Sequence, residues 1–397
     1  MKAVILAAGE GTRMRPLTAA RPKVMLPLAN RPMLEHVIEA CIKVGIKDFV
    51  VVTGYKEETI RDYFGDGKRW GIHIDHVTQE KQLGTANAIG CAREYVNGRF
   101  VQLNGDMLVD PTHLEKLIQH NEPAVISVKA VENPSEFGVI VTEADKVVRI
   151  IEKPLDPPVK TVNAGIYLFD TTIFEYIDRT ALSPRNEYEI TDSMQMMVND
   201  GIHVGFEPLT HVWLDVGRPW DMLDANKALL EKIKPKCEGT VEPMATLHGD
   251  VIIGEGTIVR NGAYIIGPVV IGKNCDIGPN CFIRPSTSIG NNVHIGNGVE
   301  VKNCVIMDYT KIGHLTYIGD SVVGYGCNFG AGTKVANLRH DGKSIKSIIK
   351  GKRVDTGRRK LGVIMGDDVH TGINTSINVG VVIENGSGTR PGEVLMQ

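Results

Sequence analysis

Between Leu6 and Pro27 the chain collects residues that suit an anion. The loop Ala8-Gly9-Glu10-Gly11-Thr12-Arg13 follows a short apolar run, and Lys23 stands between Pro22 and Pro27. Gly9 and Gly11 carry no Cβ, so their backbone N–H groups can approach a phosphate closely. Arg13 offers a forked donor to phosphate oxygens, and Lys23 a compact positive charge. The loop is not a Walker A, because no Gly-Lys-Ser/Thr follows, nor a dinucleotide fingerprint, because the third glycine is missing. Further on, Asp106 ends the apolar run Phe100–Asp106, where a carboxylate can hold Mg²⁺ against phosphate oxygens. Gly84 and Thr85 open a helix, whose first backbone donors can take the polar edge of a ligand.

These residues must be held by something, and the first half reads as alternating strands and helices. Ala3–Ala7, Asp48–Gly54, Ile72–Gln79 and Phe100–Asp106 are apolar runs of strand length. Pro32–Val44 has helical spacing and is ended by Gly45; Glu57–Phe64 reads as a short helix, and the helix opened by Gly84 is expected to run to Glu94. The alternation continues to about residue 110 and predicts a parallel sheet with helices on both faces. In such sheets ligands gather at the carboxyl ends of the strands, where every motif above lies.

Composition bounds the function. A chain of 397 residues has room for two domains, and a net charge of −3 argues against a dedicated nucleic-acid partner. Cysteines at 41, 91, 237, 275, 281, 304 and 327 form no C-x-x-C pair, which points to reduced thiols in a cytoplasmic setting. No apolar run reaches the ~18 residues of a membrane span, and no signal peptide is read at the N-terminus.

The glycine loop, Arg13 and the Arg21-Pro22-Lys23 step together resemble the sugar-1-phosphate nucleotidyltransferases. The resemblance implies that Gln79, in the segment Gln79 to Ala86, reads the amide edge of the nucleotide base beside Gly84 and Thr85. It implies that Asp215, in Trp213-Leu214-Asp215-Val216-Gly217, is the second metal position with Asp106. It also implies a sugar-binding half: Gly138 lets a sugar approach the backbone, Glu152 and Asn163 bond its hydroxyls, and Lys153 meets its phosphate. The expected reaction is in-line attack of a sugar-1-phosphate oxygen on the α-phosphorus of UTP or dTTP, with Mg²⁺ as cofactor.

Pro219–Ile233 reads as a helix starting at proline, and the domain boundary is placed near 235–245, giving domains 1–235 and 245–397. Beyond it the period changes to six. Aliphatics recur at Ile253, Val259, Ile265, Ile271, Ile277, Ile283, Ile289, Ile295 and Val301; the frame slips to Ile306, Ile312 and Ile318, then to Val323, Phe329 and Val335. Neither a helix nor a simple strand has this period; hexapeptide repeats forming a parallel β-helix do. They account for 43 glycines and only 6% aromatics in the chain.

The run Gly313-His314-Leu315-Thr316-Tyr317-Ile318-Gly319-Asp320 resembles the acetyltransferase half of the bifunctional N-acetylglucosamine-1-phosphate uridyltransferase/glucosamine-1-phosphate acetyltransferases. His314 is then the general base, a role that suits a neutral imidazole near pH 7. Arg284, Lys302, Tyr317, Asn328, Asn337 and Lys343 fall on that family's positions for amino sugar and donor. Residues 338–360 interrupt the hexads with nine Lys and Arg against Asp341 and Asp355, a seat for coenzyme A phosphates or a sugar phosphate. The whole chain is most similar to archaeal-type bifunctional sugar-1-phosphate nucleotidylyltransferase/acetyltransferases. The implied fold is an α/β, Rossmann-like nucleotidyltransferase domain followed by a left-handed parallel β-helix of hexapeptide repeats. The implied partners are UTP or dTTP, a sugar-1-phosphate and acetyl-CoA, in a homotrimer with no membrane attachment. Two alternatives stay open: a glucose- or mannose-1-phosphate nucleotidylyltransferase with a structural coil, and a regulatory nucleotide-sugar-binding subunit.

Overall fold

The computed structural model describes residues 1–396. They form two compact units. One comprises Met1–Glu10 and Met33–Asp215; the other comprises Gly11–Pro32 and the chain from Val216 onward.

The first unit is built on a nine-stranded sheet. Four strands at one side, His73–Thr78, Asp48–Thr53, Lys2–Leu6 and Phe100–Asn104, are mutually parallel, as the alternation predicts. The sheet then becomes mixed. Thr161–Phe169 runs antiparallel to both Phe100–Asn104 and Ala124–Ala130, and Val204–Pro208, Lys146–Glu152 and Gly138–Glu143 complete it. Val4, Val50 and Val52 join one core with Ile89, Phe100, Phe169 and Met194. The alternate residues Ala3, Ile5, Phe49 and Val51 are buried too, which is why these strands read as continuous apolar runs. The helices are α1 (Met33–Lys43), α2 (Glu57–Phe64), α3 (Thr85–Cys91), α4 (Pro111–Leu117), α5 (Ile173–Arg179) and α6 (Ile190–Asn199). α3 stops at Cys91, short of the expected Glu94. Gly90 weakens its last turn, Ala92 N bonds Ile89 O in 3₁₀ fashion, and a separate 3₁₀ turn covers Arg93–Tyr95.

In the second unit α7 (Asp221–Leu230) follows Pro219 and Trp220, with Trp220, Leu223 and Leu230 buried. Twenty-two short strands then stack in three parallel sheets of eight, six and eight. As far as Val322–Val323, each coil strand pairs with the coil strand three further along: Val251–Ile253 with Val269–Ile271, Ile258–Val259 with Asp276–Ile277, Tyr264–Ile266 with Phe282–Ile283. Three hexads therefore make one coil, an arrangement compatible with a parallel β-helix. Every aliphatic or aromatic of the six-residue register, from Ile253 to Val335, lies in one continuous core. Both frame slips fall where the register shortens, at Ile289↔Ile306 and Ile306↔Val323. The stacking starts earlier than the hexad pattern, because Lys236–Cys237 and Thr240–Val241 already pair with the strands above them. These end strands are exposed; Val241, in register with Val259, still keeps the spacing of six through Leu247 to Ile253, a continuation the sequence reading did not use. Residues 338–360 leave the coil at a Leu338↔Lys360 bridge and contain the hairpin Lys346–Ile349/Lys352–Asp355.

All seven cysteines are free thiols. Cys275, Cys304 and Cys327 sit at coil corners, where Sγ of each faces a carbonyl of Gly290, Ile318 or Gly366. Burial pushes the thiols of Cys41, Cys281, Cys304 and Cys327 up to about 12. A disulfide-exchange reagent at pH 8 should thus react first with exposed Cys237 and more slowly with half-buried Cys91. The other five should react only on unfolding; fast labelling of Cys281 or Cys304 in native protein, read by peptide mapping, would contradict this packing.

Candidate functional site

In the loop, Gly11 adopts φ +67 and precedes a 3₁₀ turn, Thr12–Met14. A Cβ on Gly11 would lie 2.7 Å from Lys23 Cβ, so glycine is needed for the loop to close on that lysine. Lys23 opens a second 3₁₀ turn and is buried, whereas Arg13 is exposed. Gly9, in the first unit, is exposed, and a side chain there would meet nothing within 4 Å.

Asp106 and Asp215 are brought onto neighbouring rungs of a two-stranded ribbon: Asp215 pairs with Met107, and Trp213 with Val109. Trp213 Nε1 donates to Ala164 O at 3.0 Å and fixes that ribbon beside the Asn163-Ala164-Gly165 segment. Asp215 is exposed and Asp106 half-buried. Among the described residues no group of three or more His, Cys, Asp or Glu converges on a metal position. Two carboxylates, completed by phosphate oxygens and water, fit Mg²⁺ rather than a protein-caged ion.

Gln79 is buried, and its Nε2 donates to Gly84 O at 3.2 Å and Asn87 Oδ1 at 2.7 Å. Gly84 is required for a reason the sequence does not show. At φ +109, a Cβ would come within 2.6 and 2.7 Å of Tyr188 O and N. Thr85 Oγ1 accepts from Ile190 N at 3.0 Å, so α3 is tied to the N-terminus of α6.

The same helix end reaches the second cluster. A Cβ on Gly138 would lie 3.0 Å from Glu152 Oε2 and 3.6 Å from Asn163 Cβ, so these three residues do converge. Asn163 lies at the irregularity where Thr161–Phe169 slips against Ala124–Ala130. Its Oδ1 accepts from Gly165 N and its Nδ2 donates to Tyr167 OH. Lys153 sits at positive φ with Nζ 3.7 Å from Glu152. Sequence reasoning missed Arg185, which bonds Glu152 at 3.0 Å and buried Glu189 at 2.6 Å, and Thr191, at 3.4 Å from Glu152. The polar run Arg185–Glu189 before an apolar helix was the available signal.

On the coil, Lys302, Tyr317 and Asn337 gather around a residue not singled out from sequence, Asp320. This carboxylate is 4% exposed. It accepts from Lys302 Nζ at 3.2 Å, Asn303 Nδ2 at 2.8 Å and Asn337 Nδ2 at 2.5 Å, while Asn337 also reaches Tyr317 OH at 3.2 Å. The pairing Lys302↔Gly319 places these groups together. Burial first, then the Asp320 charge, raises the Tyr317 phenol above its ordinary value. Arg284 instead bonds Glu300 at 2.9 Å. His314 is exposed on the six-stranded face, opposite Asn297, and its carbonyl accepts from Thr316 Oγ1 and Gly332 N. Asn328 lies exposed on that same face, next to Lys311 and bridged to His370. Lys343 is exposed in the insertion, its N–H on Asp341. Asp320 also borders a cleft of ≈ 670 Å³ lined by Trp220, Asp224 and the basic run Arg358–Lys360.

Residues 2–232 match the nucleotidyl transferase family, and residues 265–387 match the GMPPB C-terminal domain. A solved Bacillus anthracis chain, assigned as a glucose-1-phosphate thymidylyltransferase, is 31% identical; it superposes with a TM-score of 0.54, covering 59% of this chain and 97% of its own. The "Bifunctional protein GlmU" of Methanocaldococcus jannaschii is 43% identical over 96% of this chain and 92% of its own. The "Bifunctional sugar-1-phosphate nucleotidylyltransferase/acetyltransferase" of Sulfurisphaera tokodaii is 41% identical over 100% of this chain and 97% of its own. The chain belongs to this bifunctional family. As a bifunctional nucleotidylyltransferase/acetyltransferase it is an enzyme with both activities, which sets aside the regulatory-subunit alternative. Among the described residues no helix is long and apolar enough to cross a membrane.

The Asp320 cluster generates a prediction with two readouts. Asp320→Asn leaves buried donors without their charged acceptor, a loss of ~1–3 kcal/mol that should lower acetyl transfer about 10- to 100-fold. It should also bring the Tyr317 phenol down towards its ordinary value, seen by ultraviolet difference titration against Tyr317→Phe. The sign follows from linkage: a raised phenol pKa favours the protonated form, so its contribution to stability is present below about pH 10 and lost above it. Unchanged acetyl transfer in Asp320→Asn would remove the cluster from the reaction.

In the first unit, Gly138→Ala should press on the Glu152 carboxylate. The KM for sugar-1-phosphate should rise about tenfold with kcat little changed, the signature of lost ground-state binding. A lowered kcat at unchanged KM would place Gly138 elsewhere.

Proposed function

We propose that the enzyme makes UDP-N-acetylglucosamine in two steps. In the first, carried by a domain spanning 245–397, the amine of glucosamine-1-phosphate attacks the thioester carbonyl of acetyl-CoA. His314 takes the amine proton, a C–N bond forms, and coenzyme A departs as the thiol. Lys302, Tyr317 and Asn337, fixed by Asp320, hold the amino sugar with Arg284; Asn328, Lys343 and the cations of the 338–360 insertion serve the donor and phosphate groups. Galactosamine-1-phosphate is a second candidate substrate.

The second step belongs to a domain spanning 1–235. The phosphate oxygen of N-acetylglucosamine-1-phosphate attacks the α-phosphorus of UTP in line, and the bond to pyrophosphate breaks. Arg13 and Lys23 stabilise charge on the α-phosphate and the departing pyrophosphate. Gln79, Gly84 and Thr85 hold the base, with Gly9 and Gly11 at the phosphates; Gly138, Glu152, Lys153 and Asn163 orient the sugar. Asp106 and Asp215 would hold Mg²⁺, which supplies charge neutralisation across the two phosphates. The left-handed coil, the homotrimer and a cytoplasmic setting follow from the resemblance to this family. dTTP differs from UTP by one methyl group, a small discrimination for any pocket.

The observation that carries this reading is the gathering of Lys302, Tyr317 and Asn337 on one buried carboxylate at the edge of a cleft lined by charges of both signs. The test is thiol release from acetyl-CoA with glucosamine-1-phosphate, for wild type and His314→Ala. Thiol release should fall at least about 100-fold in the variant, as expected for loss of a general base. Pyrophosphate release from UTP and N-acetylglucosamine-1-phosphate should persist. No thiol release with any hexosamine-1-phosphate, in an enzyme still active with UTP, would reduce the coil to a scaffold.

A further inference from the structure

The loop carrying Arg13 and Lys23 belongs to the same compact unit as the coil, and specific bonds join them. Arg21, two residues before Lys23, makes a two-point ion pair with Asp367, at 2.8 and 3.2 Å. Its guanidinium lies 4.0 Å over the Tyr325 ring, and both charged side chains are largely buried, at 15% and 10% exposure. Asp367 is itself fixed, accepting from Tyr325 N at 3.0 Å. Asn385 holds both partners of this joint: its Oδ1 accepts from Asp367 N at 2.6 Å and its Nδ2 donates to Pro16 O at 3.2 Å. A second anchor follows Lys23. Ala29 N bonds Asn226 Oδ1, Asn226 Nδ2 bonds Ser286 O, and Asn30 Nδ2 bonds Ile289 O.

Within the loop the Arg21 contact is passed on. Its Nη1 donates also to Leu17 O, Leu17 N bonds Met14 O, Met14 N bonds Gly11 O, and Thr18 Oγ1 bonds that same carbonyl. Gly11 in turn packs on Lys23. The backbone from Gly11 to Lys23 is therefore a closed structure whose outer tie is an ion pair to the coil. Stabilising charge that develops in a transition state depends on cations already fixed in place, since a shift of ~1 Å can cost about 100-fold in rate.

We propose that Arg21, clamped by Asp367 and Tyr325, is a positioning residue for nucleotidylyl transfer: the coil sets the loop that presents Arg13 and Lys23. The proposal rests on the nucleotidylyl reading of that loop. It makes Asp367, in the half of the chain assigned to acetyl transfer, a determinant of the other reaction.

The experiment compares wild type, Arg21→Lys, Asp367→Asn and Arg21→Met/Asp367→Leu as full-length protein. Pyrophosphate release from UTP and N-acetylglucosamine-1-phosphate, and thiol release from acetyl-CoA and glucosamine-1-phosphate, are measured on the same preparations. Asp367→Asn should lower kcat for pyrophosphate release about tenfold or more, with the KM for sugar-1-phosphate within about twofold of wild type. Thiol release should be unchanged, and amide exchange across residues 11–32 should rise. The uncharged double variant should be no worse than either single change, because it leaves no buried charge unpaired. Wild-type pyrophosphate release in Asp367→Asn overturns the proposal. So does a parallel fall of both activities with a lowered Tm, which is the result of a merely structural bond. If wild type releases no pyrophosphate from any triphosphate while thiol release is intact, the nucleotidylyl reading fails, and the proposal with it.

Discussion

Each coil of the second unit satisfies its backbone through the coils on either side of it. Ile258 N donates to Cys275 O, Gly254 N to Ile271 O and Thr246 N to Ala263 O, and the pattern repeats upward. This reciprocity is the constraint on which the rest of that unit depends. A buried backbone group without a partner is costly, so every strand must keep its register with the coil below, and side chains come to lie in columns. Where a corner leaves a carbonyl inside, a small polar side chain closes it: Thr257 Oγ1 bonds Gly272 O, Thr310 Oγ1 bonds Gly324 O, and Cys275 faces Gly290 O. The buried cysteines are corner fillers in this sense, which is a structural role requiring no reactivity.

Columns explain how a buried polar cluster can form on so plain a scaffold. Lys302 and Gly319 are opposite one another, so Asp320 at the next corner receives both the lysine and Asn303 from the coil below. Asn337, from the coil above, supplies the third donor. The first unit solves the same problem by an antiparallel rung. Asp215 reaches the neighbourhood of Asp106 because it pairs with Met107, although the sequence separates the two carboxylates widely. In both units the site is a statement about register, and a one-residue slip would turn every participating side chain to the other face.

That dependence decides what can be read from sequence. The inward positions from Ile253 to Val335 were legible one by one, because a period of six maps directly onto one core residue per strand. The four parallel strands of the first unit were legible for a similar reason, being apolar throughout. The first coil strands were not read, since Lys236, Cys237 and Thr240 carry no inward aliphatic, although Val241 and Leu247 keep the spacing of six below Ile253. Candidate residues of the first unit were picked from residue type and strand ends as well as from resemblance, whereas those of the coil were picked from resemblance, whose motif includes Asp320 without giving it a role. For Gly84 the sequence did not show that its own packing against the Tyr188 backbone also requires glycine. The charge of the 338–360 insertion was countable, but its neutralisation was not. Arg339 pairs with Asp341 inside the insertion, while Arg358 pairs with Asp224 from α7, far away in the chain.

The frame slips show how far register can bend without losing the site. Ile289, Ile306 and Val323 remain stacked on one face although the spacing is a residue short at both steps. The missing residue must come out of a turn, because removing it from a strand would reverse the inward parity and expose the core column. His314 to Asp320 lies between those two shortened steps, and Lys302 begins the same interval. The coil is thus a residue short at both steps of the interval in which Lys302, Asp320 and Asn337 meet across three successive levels. A uniform hexad repeat of full length optimises packing; this chain departs from it where its buried polar cluster lies.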